Sequence, residues 1–88
     1  MLKIVTQWIQ EQYPEFEGEY LSSVLEIERY TAVGNNLQKL EIASINQEIF
    51  LRYSRPQSGR WVTHSDAFDL NDPQMFDKMK TFLDRAII

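Results

Sequence analysis

Apolar residues recur at helical spacing near both ends of the chain. Over Leu2–Tyr13 they are separated by Lys, Gln and Glu, which predicts an amphipathic helix. Pro14 ends it, because the residue before a proline avoids helical backbone angles. Asp72-Pro73 predicts the start of a second helix, with Asp as the cap and Pro in the first position. The apolar stripe of that helix is Phe76, Met79, Phe82, Leu83, Ala86 and Ile87.

The stretch Val24–Val33 fits two structures. Tyr30, Thr31 and Val33 prefer a pleated surface and Gly34-Asn35-Asn36 is typical of a hairpin turn, so a strand is favoured. However, Ser22 or Ser23 followed by Glu26 resembles a helix capping box. A helix over 22–33 therefore remains the alternative.

Three further segments alternate apolar and polar residues with the period of a strand: Leu40–Ser44, Glu48–Ser54 and Trp61–Ser65. Arg55–Gly59, which contains Pro and Gly, is predicted to be the turn between the last two. These elements predict a single α+β domain over 1–88, in the order α-β-β-β-(β)-α. An antiparallel meander of three to four strands would bury one face under both helices and leave the other in solvent.

Composition narrows the classes of protein that fit. The 88 residues include no Cys, which excludes disulfides and thiolate metal sites, and the formal net charge is −4. No apolar run is long enough to cross a bilayer, and the first residues lack the pattern of a signal peptide, so we expect a cytoplasmic protein.

Signs of catalysis or metal binding are weak. The one His, His64, is followed by Ser65 and Asp66, but neighbours on a strand point to opposite faces, which argues against a triad. Counted from Asp66 or Asp69, the acidic stretch lacks the spacing of a calcium loop. We therefore expect a protein that is not an enzyme, with no cofactor and no metal.

An acidic-aromatic segment, Tyr13–Tyr20, is the first candidate binding surface. It reads as a loop after the first helix, in a region from Ile4 to Glu28 that has six Glu and neither Lys nor Arg. Such a surface suits a basic protein partner, with aromatic anchors. The predicted partner-binding residues are Glu15, Phe16, Glu17, Glu19 and Tyr20. Alternatively, the segment is only a connection and Phe16 folds back on the core.

A basic-aromatic hairpin is the second candidate surface. Guanidinium groups pair with phosphates and aromatic rings stack on bases, so nucleic-acid contact is predicted here as an alternative. The residues are Arg52, Arg55, Arg60, Trp61 and His64. In the competing interpretation the hairpin is solvated, and Tyr53 and Trp61 point into the core.

The leading functional hypothesis is an acidic protein-interaction module: a regulatory, inhibitor or adaptor protein, of which a phage- or mobile-element-encoded inhibitor is one instance. The element order is similar to that of double-stranded-RNA-binding domains and of some small bacterial toxins. The final helix, however, begins Asp72-Pro73-Gln74-Met75-Phe76-Asp77 and lacks the basic start that those RNA binders use. Nucleic acid is thus the less favoured partner, and no membrane partner is expected. Because the chain ends on Ile87-Ile88, a homodimer formed through a helix or a sheet edge is a further expectation.

Overall fold

The computed structural model describes the backbone of residues 2–24 and 27–87, and the side chains of residues 2–17 and 28–87. The helices are α1 (Leu2–Gln12) and α2 (Met75–Ala86). The strands are β1 (Glu17–Val24), β2 (Ile27–Val33), β3 (Lys39–Ile45), β4 (Glu48–Gln57) and β5 (Arg60–Asp69), and a turn of 3₁₀ helix (Asn35–Leu37) joins β2 to β3.

The five strands form one antiparallel sheet in chain order, with β1 and β5 at its edges. The predicted order of helix, antiparallel meander and helix is confirmed. Of the favoured strand over Val24–Val33, Ile27–Val33 is confirmed as β2, whereas Val24 ends β1. Leu25 and Glu26 lie outside the described residues. The sheet has one strand more than the three to four predicted, and the first half of β1, residues 17–20, lies in the segment predicted to be loop. Strand β1 begins at Glu17 opposite Val33 and changes register between Gly18 and Tyr20.

Both helices cover the same face of the sheet. α1 packs on β2 and β3, whereas α2 packs on β5. Every second residue of the strands points toward the helices and completes the core. Between the helices, the half-buried ring of Trp8 contacts Phe76, with ring centroids 5.2 Å apart. The largest buried side chains are Leu2, Val5, Ile9, Phe16, Leu40, Ile42, Ile49, Leu51, Tyr53, Met79 and Leu83.

The hairpin between β4 and β5 is longer than predicted. Its turn is Ser58-Gly59 alone, where both residues have positive φ, 53° and 80°. Arg55, Pro56 and Gln57 belong to β4, so the predicted turn over Arg55–Gly59 is wrong. A strand tolerates Pro56 here because the pairing of β4 with β3 already ends at Ser54, so no hydrogen bond of the ladder is lost on that side.

The start of α2 differs in detail from the prediction. The helix begins at Met75, not beside Asp72-Pro73. Asp72 still accepts a hydrogen bond from the backbone N–H of Gln74, at 2.8 Å, and forms an ion pair with Lys78. The Lys78 ammonium and this N–H hold the pKa of the Asp72 carboxyl below its usual value. Within the described parts of the chain, neither helix is long and apolar enough to span a membrane.

Tyr13 fastens the end of α1 to α2. Its hydroxyl donates to Asp84 Oδ1 at 2.6 Å, and Lys80 Nζ lies 5.1 Å from the centre of its ring. Burial, with help from the Asp84 carboxylate, raises the pKa of the Tyr13 hydroxyl. The donated hydrogen bond, and then the charge of Lys80, lowers the pKa of Asp84. The pair therefore consists of a protonated phenol and an ionised carboxylate.

Substitution of Phe16 tests how much its buried ring contributes to the stability of the core. It is 2% exposed, and its ring lies 6.3 Å from that of Tyr53 in an edge-on arrangement, close against Gly34. We expect Phe16→Ala to lower the free energy of unfolding by about 3–5 kcal/mol, because it leaves a cavity. Urea denaturation measures this loss. The exposed neighbour variant Glu17→Ala is expected to change it by no more than about 0.5 kcal/mol; similar losses in both would contradict the placement of Phe16.

The Tyr13–Asp84 contact predicts a pH dependence. Because the folded pKa of Asp84 is depressed, its contribution to stability is present above the unfolded value of about 3.9 and is lost as pH falls through the folded value. We expect Asp84→Asn to be less stable than the parent near neutral pH and to approach it in acid. The measurement is urea denaturation across this pH range. In a Tyr13→Phe background the same substitution should have a much smaller effect at every pH; an unchanged difference there would assign it to another partner.

Candidate binding surface

One face of the sheet carries no helix, and we call it the open face. Strand alternation and register place there the side chains of Arg29, Thr31, Val33, Lys39, Glu41, Ala43, Glu48, Phe50, Arg52, Trp61, Thr63, Ser65, Ala67 and Asp69. Three large apolar side chains remain well exposed on it: Val33 at 54%, Phe50 at 38% and Trp61 at 58%. The pairing register separates them, since Phe50 lies opposite Ala43 and Ala67, Val33 opposite Lys39, and Trp61 opposite Pro56. They are therefore single exposed groups and not one contiguous apolar patch.

A depression of about 450 Å³ lies near the middle of the open face. Ala43, Phe50 and Ala67 lie opposite one another on three adjacent strands, so two small side chains flank one aromatic ring. The missing bulk at the two alanines creates the hollow, and Phe50 forms an apolar wall. Arg29, opposite Ala43, stands at the β2 end.

Charges on one side of the depression pair with one another and sum to +1, from Lys39, Arg52 and Glu41. Nη2 and Nε of Arg52 both donate to Glu41 Oε1, at 2.9 and 3.1 Å, and Lys39 Nζ lies 3.7 Å from the same oxygen. These groups are exposed, so the pairs contribute little to stability. They leave no acidic excess on this part of the face.

Two carboxylates on the other side are not neutralised in this way. Glu48 and Asp69 lie directly opposite each other on β4 and β5, and both are exposed. Asp69 Oδ1 accepts the backbone N–H of Asn71 at 2.8 Å, but no ion pair reaches either carboxylate among the side chains that the structure describes. Like charges in directly opposed positions are destabilising. The open face therefore has an unbalanced acidic pair beside its apolar hollow.

A second groove, of about 580 Å³, separates α2 from the outer part of β5. His64, Asp66 and Phe68 line its strand side, and Phe82 and Arg85 line its helix side. His64 and Asp66 occupy positions of the core-facing set, but both side chains stay exposed.

The predicted basic-aromatic hairpin is divided between two faces. Arg52 and Trp61 lie on the open face, whereas Arg55, Arg60 and His64 lie on the helix side. Arg52 therefore shares no face with Arg60 and His64, because His64 lies opposite buried Tyr53. The competing interpretation is right for Tyr53, which is buried, and wrong for Trp61, which is exposed.

The predicted acidic-aromatic surface is also only partly present. Phe16 is a core residue, so its assignment to a partner-binding surface is wrong, as the alternative interpretation anticipated. Glu15 is half-buried and Glu17 is exposed. Glu19 and Tyr20 lie on β1, but their side chains lie outside the described residues. This segment therefore offers two described carboxylates and no described aromatic anchor.

The described residues that were considered for catalysis or metal binding do not form a single site. His64 and Ser65 lie on opposite faces of β5, as strand alternation predicts. The Asp66 carboxylate accepts the N–H of Ala67 at 2.8 Å. Among the described side chains, those of residues 2–17 and 28–87, no three acidic or His groups come together as potential metal ligands.

Comparisons with known proteins add no assignment. Scanned against models of known families, the curated proteins and the solved structures, the chain gives no match. The open face must therefore be interpreted from its own geometry.

Of the residues that line the depression, sequence reasoning singled out Arg52 but missed Ala43, Phe50 and Ala67, and it also missed Glu48 beside them. Ala43, Glu48, Phe50 and Ala67 are unremarkable in sequence, and Phe50 falls on the polar side of the Glu48–Ser54 alternation. That exception was the available signal: a large aromatic among outward-facing positions. Their proximity depends on the register of three strands, which the sequence does not reveal.

The opposed carboxylates yield a direct prediction. Glu48→Lys converts a like-charge pair with Asp69 into an opposite-charge pair, so we expect it to raise the free energy of unfolding by about 0.2–1 kcal/mol. Urea denaturation at low salt measures the change. Glu28→Lys is the matched control, because it alters the net charge equally but lies opposite Ser44. Equal stabilisation by both variants would show that only net charge matters.

Proposed function

We propose that this protein is a protein-interaction module that receives a basic partner segment on the open face of its sheet. The observation that carries the proposal is the apolar depression at Ala43, Phe50 and Ala67 beside the opposed carboxylates of Glu48 and Asp69. The predicted kind of partner is retained. The proposed binding surface lies on the sheet, whereas the sequence predicted it on the Tyr13–Tyr20 segment.

Two kinds of contact would contribute to binding. A single aliphatic or aromatic side chain that fills the depression gains about 1.5–3 kcal/mol when fully buried. Lys or Arg side chains beside it would meet Glu48 and Asp69, which favours fast association and the correct partner more than it adds affinity. Arg29 lies across the depression from these carboxylates and would give a bound segment one orientation.

The role of such a module is regulatory: an inhibitor or adaptor that acts by occupying a basic surface of another protein. Its composition supports this role, since a net charge of −4 in 88 residues favours basic partners over polyanions. A cytoplasmic location belongs to the same proposal and agrees with a chain that has no Cys.

The test uses a fluorescent extended peptide of alternating Lys and Leu, followed by anisotropy. We expect salt-sensitive binding that weakens about tenfold, or about 1.4 kcal/mol, in a Glu48→Gln/Asp69→Asn variant. Binding should also weaken in Ala67→Phe, which fills the depression. A Glu11→Gln/Asp77→Asn variant makes the same charge change on the helices and should bind normally.

The peptide with Ser in place of Leu separates the two contributions. We expect it to bind much more weakly, because the depression then receives no apolar anchor. Equal binding of both peptides, or equal loss in the helix variant, would mean that only net charge attracts the probe. The open-face proposal would then be rejected.

Nucleic-acid binding is the second candidate, favoured by one observation. Phe50, Arg52 and Trp61 all lie exposed on the open face, an arrangement that could stack and pair with a single strand. A mobility-shift titration with single-stranded oligonucleotides should then show affinity that falls steeply with salt and is lost in Trp61→Ser/Arg52→Ser. No shift at low salt would eliminate this candidate.

A further inference from the structure

Among the described residues, no strand pairs with the outer edge of β5. The Ser58-Gly59 turn makes Gln57 and Arg60 a hydrogen-bonded pair, so the even-numbered residues of β5 direct their backbone groups toward β4. The hydrogen bond of Leu70 fits the same alternation, since its N–H donates inward to the Gln47 carbonyl at 2.9 Å. The N–H and C=O groups of Trp61, Thr63, Ser65 and Ala67 therefore point away from the sheet, and β5 has no strand on that side within the described chain.

The protein itself closes one end of this edge. Asp66 Oδ1 accepts the outward N–H of Ala67 at 2.8 Å, which occupies the donor that an added strand would need. The turn at Ser58-Gly59 limits the other end. The available segment thus runs from Trp61 to Ser65, and Thr63 is its midpoint.

We propose that a second copy of this chain pairs with this edge, antiparallel, about a two-fold axis at Thr63. Thr63 then lies opposite Thr63 of the second copy, and Trp61 lies opposite Ser65 of the second copy. These pairs exchange about six backbone hydrogen bonds. The result is one continuous sheet with five strands from each copy.

Charge complementarity supports this register independently of the hydrogen bonds. Arg60 and Asp66 lie at equal distances along β5 on either side of Thr63, both are exposed, and both lie on the helix side. The two-fold axis therefore places Arg60 opposite Asp66 of the second copy, twice. Directly opposed residues share a face of the sheet, so each pair is an opposite-charge pair.

The same register covers an exposed apolar side chain. Trp61, 58% exposed on the open face, is brought next to Ser65 of the second copy, which lines the depression of that copy. Edge pairing joins less surface than most stable dimers, so the association is expected to be weak and concentration-dependent. This inference does not rest on the proposed function, because the edge of β5 pairs through backbone groups; the two surfaces adjoin at Trp61 and Ser65.

Sedimentation velocity over a concentration series into the millimolar range tests the dimer. We expect a monomer–dimer equilibrium for the parent and a monomer for Thr63→Pro, which removes an outward N–H that β4 does not use. Thr63→Ala is the matched control: it loses the hydroxyl but keeps the N–H, and should dimerise. Circular dichroism confirms that each variant is folded. A parent that stays monomeric throughout, or a folded Thr63→Pro that dimerises like the parent, would overturn the proposal.

Charge exchange tests the register. Arg60→Asp alone and Asp66→Arg alone each place like charges opposite each other at both positions, so each variant should dimerise at least tenfold more weakly than the parent. Mixed together, the two variants restore opposite charges at both positions and should form a heterodimer. Single variants that dimerise like the parent, or a mixture that associates no better than its components, would exclude the two-fold axis at Thr63.

Discussion

One-sided burial of the sheet is the constraint on which the rest of this structure depends. Five strands need an apolar face to be covered, and the chain provides two short helices, Leu2–Gln12 and Met75–Ala86, which both lie on the same side. Their apolar stripes and the alternating strand residues enclose one dry layer containing Ile9, Leu40 and Leu83. No helix in the described chain covers the opposite face, so most strand residues on that side meet solvent, with Ser54 as a buried exception. The fold thereby separates a stabilising face from a face that is available for binding.

The open face is not a uniform polar surface. Arg52, Glu41 and Lys39 form a paired group with a net charge of +1, as expected where charges only need to be solvated. Glu48 and Asp69 break that pattern, because their opposition costs stability and no nearby cation offsets it among the described side chains. Natural sequences tolerate such local violations mainly where function requires them. These two carboxylates adjoin the hollow between Ala43 and Ala67. For this reason we assign the surface to a basic partner with an apolar anchor.

Local periodicity predicted the elements well where the helices and strands carry their own signal. Both helices and strands β2 to β4 follow from the spacing of apolar residues, whereas β1 does not, because Gly18 and the flanking glutamates resemble a loop and become a strand by pairing with β2. Pro56 caused the opposite error, because it predicted a turn where the structure has a strand. The N–H that proline lacks is not needed at this position, since the pairing of β4 with β3 has already ended. The binding surface could not be predicted, because it depends on which residues of β3, β4 and β5 lie opposite one another. A shift of one residue in register would have sent Phe50 into the core.

The measurement that tests the central claim most directly is an NMR titration of the protein, labelled at its backbone amides, with the alternating Lys-Leu peptide. The account predicts that the largest chemical-shift changes cluster at Ala43, Glu48, Phe50, Ala67 and Asp69, with small changes over α1 and α2. Changes centred on the helices or on the groove between α2 and β5, with the sheet centre unaffected, would contradict it. Such a result would place the binding surface on the covered side of the molecule.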